Sequence, residues 1–167
     1  MSKLIPLYVL FALFSNPAQA QEDMLVGEIS VSELKEAPYS EWFIDGYDTY
    51  NVKDAVKDEL AALLDGVHIT IFMGTWCSDS QREVPHFYKI LDVLEFPFEN
   101  SELVAMERDK TTPDQLEEGL NIQRVPTFIF YKDDKELGRI VEYPITSLEA
   151  DMIAILSGLE YEHAYAQ

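Results

Sequence analysis

Several stretches of the chain carry a readable pattern of apolar and polar positions. In Val52–Leu64 (VKDAVKDELAALL), residues Val52, Val56, Leu60, Leu63 and Leu64 recur at helical spacing, and Asp65-Gly66 ends the run. Val67–Met73 (VHITIFM) is apolar and β-branched on both faces, which predicts a central, buried strand. Gly74-Thr75-Trp76 follows, then a helix predicted from about Cys77 to Leu94 and kinked at Pro85. Glu102–Glu107 (ELVAME) and Thr127–Tyr131 (TFIFY) predict two further strands. Thr112-Pro113-Asp114-Gln115 predicts a helix start between them, with Thr112 as N-cap and proline at the first position. Glu136–Tyr143 is the expected antiparallel partner of TFIFY, across the polar turn Lys132–Lys135. Ser147 opens a last helix that runs through Leu156 and ends at Ser157-Gly158. The order helix, strand, helix, strand, helix, hairpin, helix predicts an α/β fold: a central mixed sheet with helices on both faces.

The two ends read differently. Residues 21–50 hold Tyr39, Trp42, Phe43, Tyr47 and Tyr50 without a clear period. They predict an irregular or short-stranded N-terminal extension whose rings pack on the main domain, residues 51–158. Residues 159–167 read as a loose tail. Met1–Ala20 has Lys3, an apolar run from Leu4 to Phe14 and the motif Ala18-Gln19-Ala20. That run is shorter than the ~20 residues a bilayer-spanning helix needs. The segment is expected to be a secretory signal peptide cleaved after Ala20, giving a periplasmic or secreted protein. A lipid anchor needs cysteine after the cut, and residue 21 is Gln, so no membrane anchor is expected after cleavage.

Charge and cysteine usage narrow the classes. The 167 residues carry 31 acidic and 12 basic side chains, a formal net charge of -19. Such a surface repels nucleic acid and anionic lipid, so neither is an expected partner. Cys77 is the only cysteine, which excludes an internal disulfide and a cysteine zinc cluster. Cys77 and Asp79 could share one ion, but nothing nearby completes a tetrahedral set, and no metal or cofactor is expected.

What singles out Cys77 is its place. It follows a buried strand and opens a helix, where unpaired amides and the helix dipole favour the thiolate. Ligand sites in open α/β sheets gather at such strand ends. Ser78, Asp79 and Ser80 give the first turn a solvated character. Asp79 opposes the thiolate, while Arg82 and the helix amides favour it. His86 is half a turn off Cys77 on the helix, and His68 is roughly 30 Å away along the strand at ~3.3 Å per residue, so a Cys-His hydrolase is disfavoured.

These residues carry a family resemblance. Trp76-Cys77-Ser78-Asp79-Ser80 resembles the Trp-Cys-x-x-Cys active site of thioredoxin-like proteins, and the overall likeness of the stretch around it is to the extracytoplasmic group. Pro85 stands eight residues after Cys77, where thioredoxins often carry a kinking proline. Val125-Pro126-Thr127 is similar to the family's cis-proline segment. The resemblance covers about Val52–Gly158 and implies the thioredoxin-like fold, with the cis-proline loop facing the nucleophilic cysteine and pairing with a substrate backbone. Trp76, Val125, Pro126 and Thr127 would then frame the substrate groove, and Ser80 would steady the thiolate. Two positions depart from the family. Ser80 stands where the second cysteine belongs and cannot attack a mixed disulfide. Ile71 stands where thioredoxins often carry a buried acid. The resemblance therefore implies a monothiol oxidoreductase or isomerase acting on protein or small-molecule thiols and disulfides. The alternative is a non-catalytic peptide-binding or chaperone-type module on the same groove.

Overall fold

The computed structural model describes residues 24–166, so the expected signal segment lies outside the described residues. Five strands form one sheet: β1 (Gly27–Ile29), β2 (Val67–Met73), β3 (Ser101–Ala105), β4 (Thr127–Lys132) and β5 (Lys135–Val141). Their order is β1-β3-β2-β4-β5. β2 and β3 run parallel, while β1–β3, β2–β4 and β4–β5 are antiparallel. Asp133 and Asp134 take left-handed backbone at φ 51° and 59°, which closes the β4–β5 hairpin with the twist such turns favour. The helices are α1 (Val31–Leu34), α2 (Ser40–Thr49), α3 (Asp54–Leu63), α4 (Ser78–Val93) and α5 (Leu148–Leu156). The fold is a mixed α/β sheet with helices, as the apolar pattern predicts, and the helices' buried apolar residues all enter one core rather than both faces.

Strand alternation divides the sheet into two faces. Ile69, Ile71 and Met73 of β2, Leu103 of β3, and Phe128 and Phe130 of β4 enter one large core. Phe43, Leu60, Phe87, Ile90, Leu148 and Met152, from four helices, complete it. Phe72, Val104 and Ile129 turn the other way, into a smaller core with Met106, Ile122 and Val125.

That second face is where the elements depart from expectation. The helix expected from Thr112 does not form. Thr112 does act as a cap, its hydroxyl oxygen accepting from Leu116 N–H at 2.9 Å, but its own N–H and hydroxyl donate to Glu117. Left-handed backbone at Gln115, Gly119 and Asn121 then breaks each turn before it can propagate. The segment between β3 and β4 is a run of turns that covers the second face.

In the N-terminal stretch Tyr39, Trp42, Phe43, Tyr47 and Tyr50 pack on the large core as expected, but helices form there. β1 joins the sheet edge and residues 40–49 are helical. α2 buries only Phe43, so no apolar repeat marks it in the sequence. Its packing rests on Gly46, where a Cβ would lie 2.7 Å from Pro85 Cγ on α4. The tail is tied down: the Tyr161 hydroxyl donates to Asp151 Oδ2 at 2.9 Å, and the Tyr165 hydroxyl donates to Glu142.

Candidate functional site

β2 ends at Met73, and Gly74–Trp76 turns the chain so that Cys77 becomes the N-cap of α4. Two bonds fix this turn. Cys77 N–H donates to the Gly74 carbonyl at 2.9 Å, and Gly74 N–H donates to Ser80 Oγ at 3.1 Å. Ser80 is fully buried, and among the described residues no hydrogen bond joins it to the Cys77 sulfur. Its observed contact supports the turn that holds Cys77.

Cys77 itself is partly exposed. Its thiol donates to the Val125 carbonyl at 3.2 Å. The Val125–Pro126 peptide is cis. A sulfur at a helix N-terminus thus faces a backbone edge from a segment 48 residues further along the chain. Thr127 lies beneath this edge, 2% exposed, with its hydroxyl donating to the Arg124 carbonyl at 2.8 Å. Val125, Pro126 and Thr127 therefore sit together beside Cys77.

Trp76 stands next to the sulfur in sequence, but its indole N–H donates to Met106 O at 2.8 Å. The ring lies so close over Gly74 that a Cβ there would meet it at 2.6 Å. Arg108 and Lys110 lie over the ring, at 5.1 and 5.7 Å from its centroid. Asp79 and Arg82 pair with each other at 2.7 Å, and Arg82 also holds Glu83 at 2.7 Å. Arg82 is thus spent on two carboxylates. None of the three histidines is hydrogen-bonded to Cys77 among the described residues, and His86 instead stacks on Tyr50 at 4.4 Å. Among the described residues, no group of three His, Cys, Asp or Glu is placed to hold a metal ion, and no helix is long and apolar enough to cross a membrane.

A partly exposed sulfur on a helix cap, facing a cis-proline edge on a five-stranded mixed sheet, is a specific arrangement to set against known proteins. The family model for thioredoxin matches residues 33–154. The chain belongs to the thioredoxin family. It is 27% identical to mouse thioredoxin over 100 residues, 60% of this chain and 90% of that protein. Rat thioredoxin gives 28% over 98 residues, 59% and 88% of the two chains. Among solved structures, a protein of unknown function from Pseudomonas aeruginosa superposes with a TM-score of 0.60. It is 17% identical and covers 79% of this chain and 93% of its own. An HIV epitope scaffold gives 0.52 at 18% identity, covering 79% and 84%. At this identity the two structures speak for the fold alone. Thiol redox function follows at the level of the family.

Sequence reasoning missed Glu83 on α4 and a cluster of side chains beside Pro126. Glu83 is buried, and burial raises its pKa against the pull of Arg82. Nothing in the helical pattern marks it, since an acid six residues after the cysteine reads as solvated. Arg124, Glu142 and Tyr165 cluster beside Pro126, with the Arg124 guanidinium 3.8 Å from the Tyr165 ring centroid and 3.4 Å from Glu142. A cavity of about 730 Å³ opens there, lined in part by Arg124, Thr127, Arg139, His163 and Tyr165. Only the nearness of Arg124 to Val125-Pro126 in sequence could have pointed to this cluster.

Proposed function

We propose that this thioredoxin-family protein exchanges thiols and disulfides through Cys77 alone. The observation that carries the reading is the Cys77 sulfur, partly exposed on a helix cap, 3.2 Å from the Val125 carbonyl beside Pro126. The helix amides favour an anion at that cap. The Cys77 thiolate attacks one sulfur of a partner disulfide. A bond forms between Cys77 and that sulfur, the partner's disulfide breaks, and the second partner sulfur leaves as a thiolate. Ser80 has no sulfur to reverse this, so an outside thiol, or the partner's own second cysteine, releases the mixed disulfide. Isomerisation and transfer of small-thiol adducts balance without added electrons. Net reduction needs an external thiol.

The named residues divide the work. Val125 and Pro126 present the backbone edge for a partner chain, with Thr127 bracing it through Arg124. Trp76 walls the groove beside Arg108 and Lys110. Ser80 steadies the turn, while Asp79 and Arg82 modulate the charge at the first turn of α4. The reading takes Met1–Ala20 as a signal peptide, so an exported chain should begin at Gln21.

The test is capture. Cys77 should form a mixed disulfide with a peptide disulfide, and Cys77→Ser should form none. Ser80→Cys should then release the captured peptide and gain disulfide-reducing turnover. A folded wild type that captures nothing, with a folded Ser80→Cys that gains no turnover, would overturn exchange and leave a peptide-binding module.

A further inference from the structure

Glu142 follows β5 with φ 68°, a left-handed backbone that a side chain adopts at an energetic cost. Its N–H donates to the Pro126 carbonyl at 2.7 Å, so the two loops hold each other. Its carboxylate accepts from the Tyr165 hydroxyl and from Arg124 Nη1, the latter at 3.4 Å. The Arg124 guanidinium lies over the Tyr165 ring at 3.8 Å. Arg124 in turn precedes Val125, whose carbonyl meets the Cys77 sulfur. Tyr165 also meets Tyr143 edge-on at 6.1 Å, and Tyr161 anchors the tail to Asp151 at the start of α5. One tail side chain is therefore joined to the thiol edge by two routes, through Glu142 to Pro126 and through Arg124 to Val125.

We propose that the C-terminal tail is a working part of the thiol groove: Tyr165 locks Arg124 to Glu142 and so fixes the Val125–Pro126 edge on which a partner's backbone aligns. This rests on the reading of Cys77 as an exchanging thiol. A charge-assisted bond to a carboxylate is directional, and with a stacked guanidinium it leaves the two loops little freedom. Exchange requires the partner sulfur to lie close to and in line with Sγ. A peptide disulfide reaches that geometry by aligning along the edge. A small disulfide reaches it by colliding with Sγ alone. Tyr165 is thus a positioning residue whose effect falls on peptide partners.

The test compares full-length wild type, Tyr165→Phe and Tyr165→Ala in exchange with a peptide disulfide and with a small aromatic disulfide. It also follows hydrogen exchange at the Glu142 amide. Tyr165→Ala should lower the peptide rate about tenfold more than the small-disulfide rate. Tyr165→Phe keeps the stacking on Arg124 and should fall between. The Glu142 amide should exchange faster in the same order. Equal changes with both disulfides, or an unchanged Glu142 amide, would overturn the clamp while leaving the reading of Cys77 intact. A wild type that exchanges with neither disulfide would overturn that reading, and the alignment role with it.

Discussion

One face of the sheet is covered by helices and aromatic rings, the other by a run of turns. On the first, Phe87 lies 4.4 Å from Phe128 and 6.1 Å from Phe130, all fully buried. On the second, Phe72, Val104 and Ile129 meet Met106, Ile122 and Val125 from irregular backbone, and Trp76 and Cys77 pack at the rim. The helical face supplies rigidity, because many side chains share each contact. The turn face supplies chemistry, because only irregular backbone can bring a carbonyl such as that of Val125 to a sulfur.

The largest test of this division is truncation on each side. Phe87→Ala should lose about 4 kcal/mol of unfolding free energy, in the range for a buried phenylalanine. Ile122→Ala should lose about 2 kcal/mol, because the turns around it can collapse into the space. Denaturant unfolding of both measures the gap. A loss at Ile122 as large as that at Phe87 would mean that the turns do not collapse into the space.

Two glycines sharpen the same contrast. Gly46→Ala pushes a Cβ against Pro85 Cγ at 2.7 Å, ring against backbone, and should destabilise by about 2 kcal/mol. Gly74→Ala meets the Trp76 indole instead, at 2.6–2.9 Å. That ring can swing only by giving up its bond to Met106 O. Gly74→Ala should therefore shift tryptophan fluorescence and change the rate of Cys77 alkylation, whereas Gly46→Ala should alter stability alone. A Gly46→Ala protein with changed alkylation would break the separation.

The division also explains what could be read from the sequence. β2 was legible because six of its seven residues are apolar or β-branched, His68 being the exception, and α4 because a strand end, a cap and Pro85 follow in order. Cys77, Val125 and Pro126 were legible because motif and position agree. α2 was not, because Phe43 alone is buried and a single residue has no period. The turns after Thr112 begin with a sound helix signal, and only the left-handed backbone at Gln115, Gly119 and Asn121 undoes it. The Arg124–Glu142–Tyr165 cluster was illegible for a different reason. Its members meet through tertiary contact, and residue spacing carries no record of that. On the turn face, Thr112→Val removes the hydroxyl that both caps Leu116 and donates to Glu117, and should lose about 1 kcal/mol. A loss near zero, by the same unfolding assay, would show that the cap does not hold the turns together.

The smallest effect belongs to His86, on the helical side. It stacks on Tyr50, whose hydroxyl donates to buried Glu149 at 3.0 Å, and Arg82 and Glu83 stand on its own helix. Burial holds the His86 pKa below its ordinary value, the Arg82 charge acts in the same sense, and Glu149 opposes both. Above about pH 6.5 the imidazole is neutral folded and unfolded, and its contribution to stability is fully present. As pH falls from there through the lower folded value, the unfolded chain binds the proton first and stability drops. Glu83 slopes the other way: burial raises its pKa, so stability falls as pH rises past the usual carboxylate range. His86→Phe keeps a ring on Tyr50 and removes only the first of these, and Glu83 is common to both proteins. The difference between wild type and His86→Phe, from unfolding at pH 7.5 and pH 5, should therefore be on the order of 1 kcal/mol or less, with wild type losing stability relative to the variant as pH falls. Parallel pH profiles would mean that packing against Tyr50 does not hold the His86 imidazole away from water.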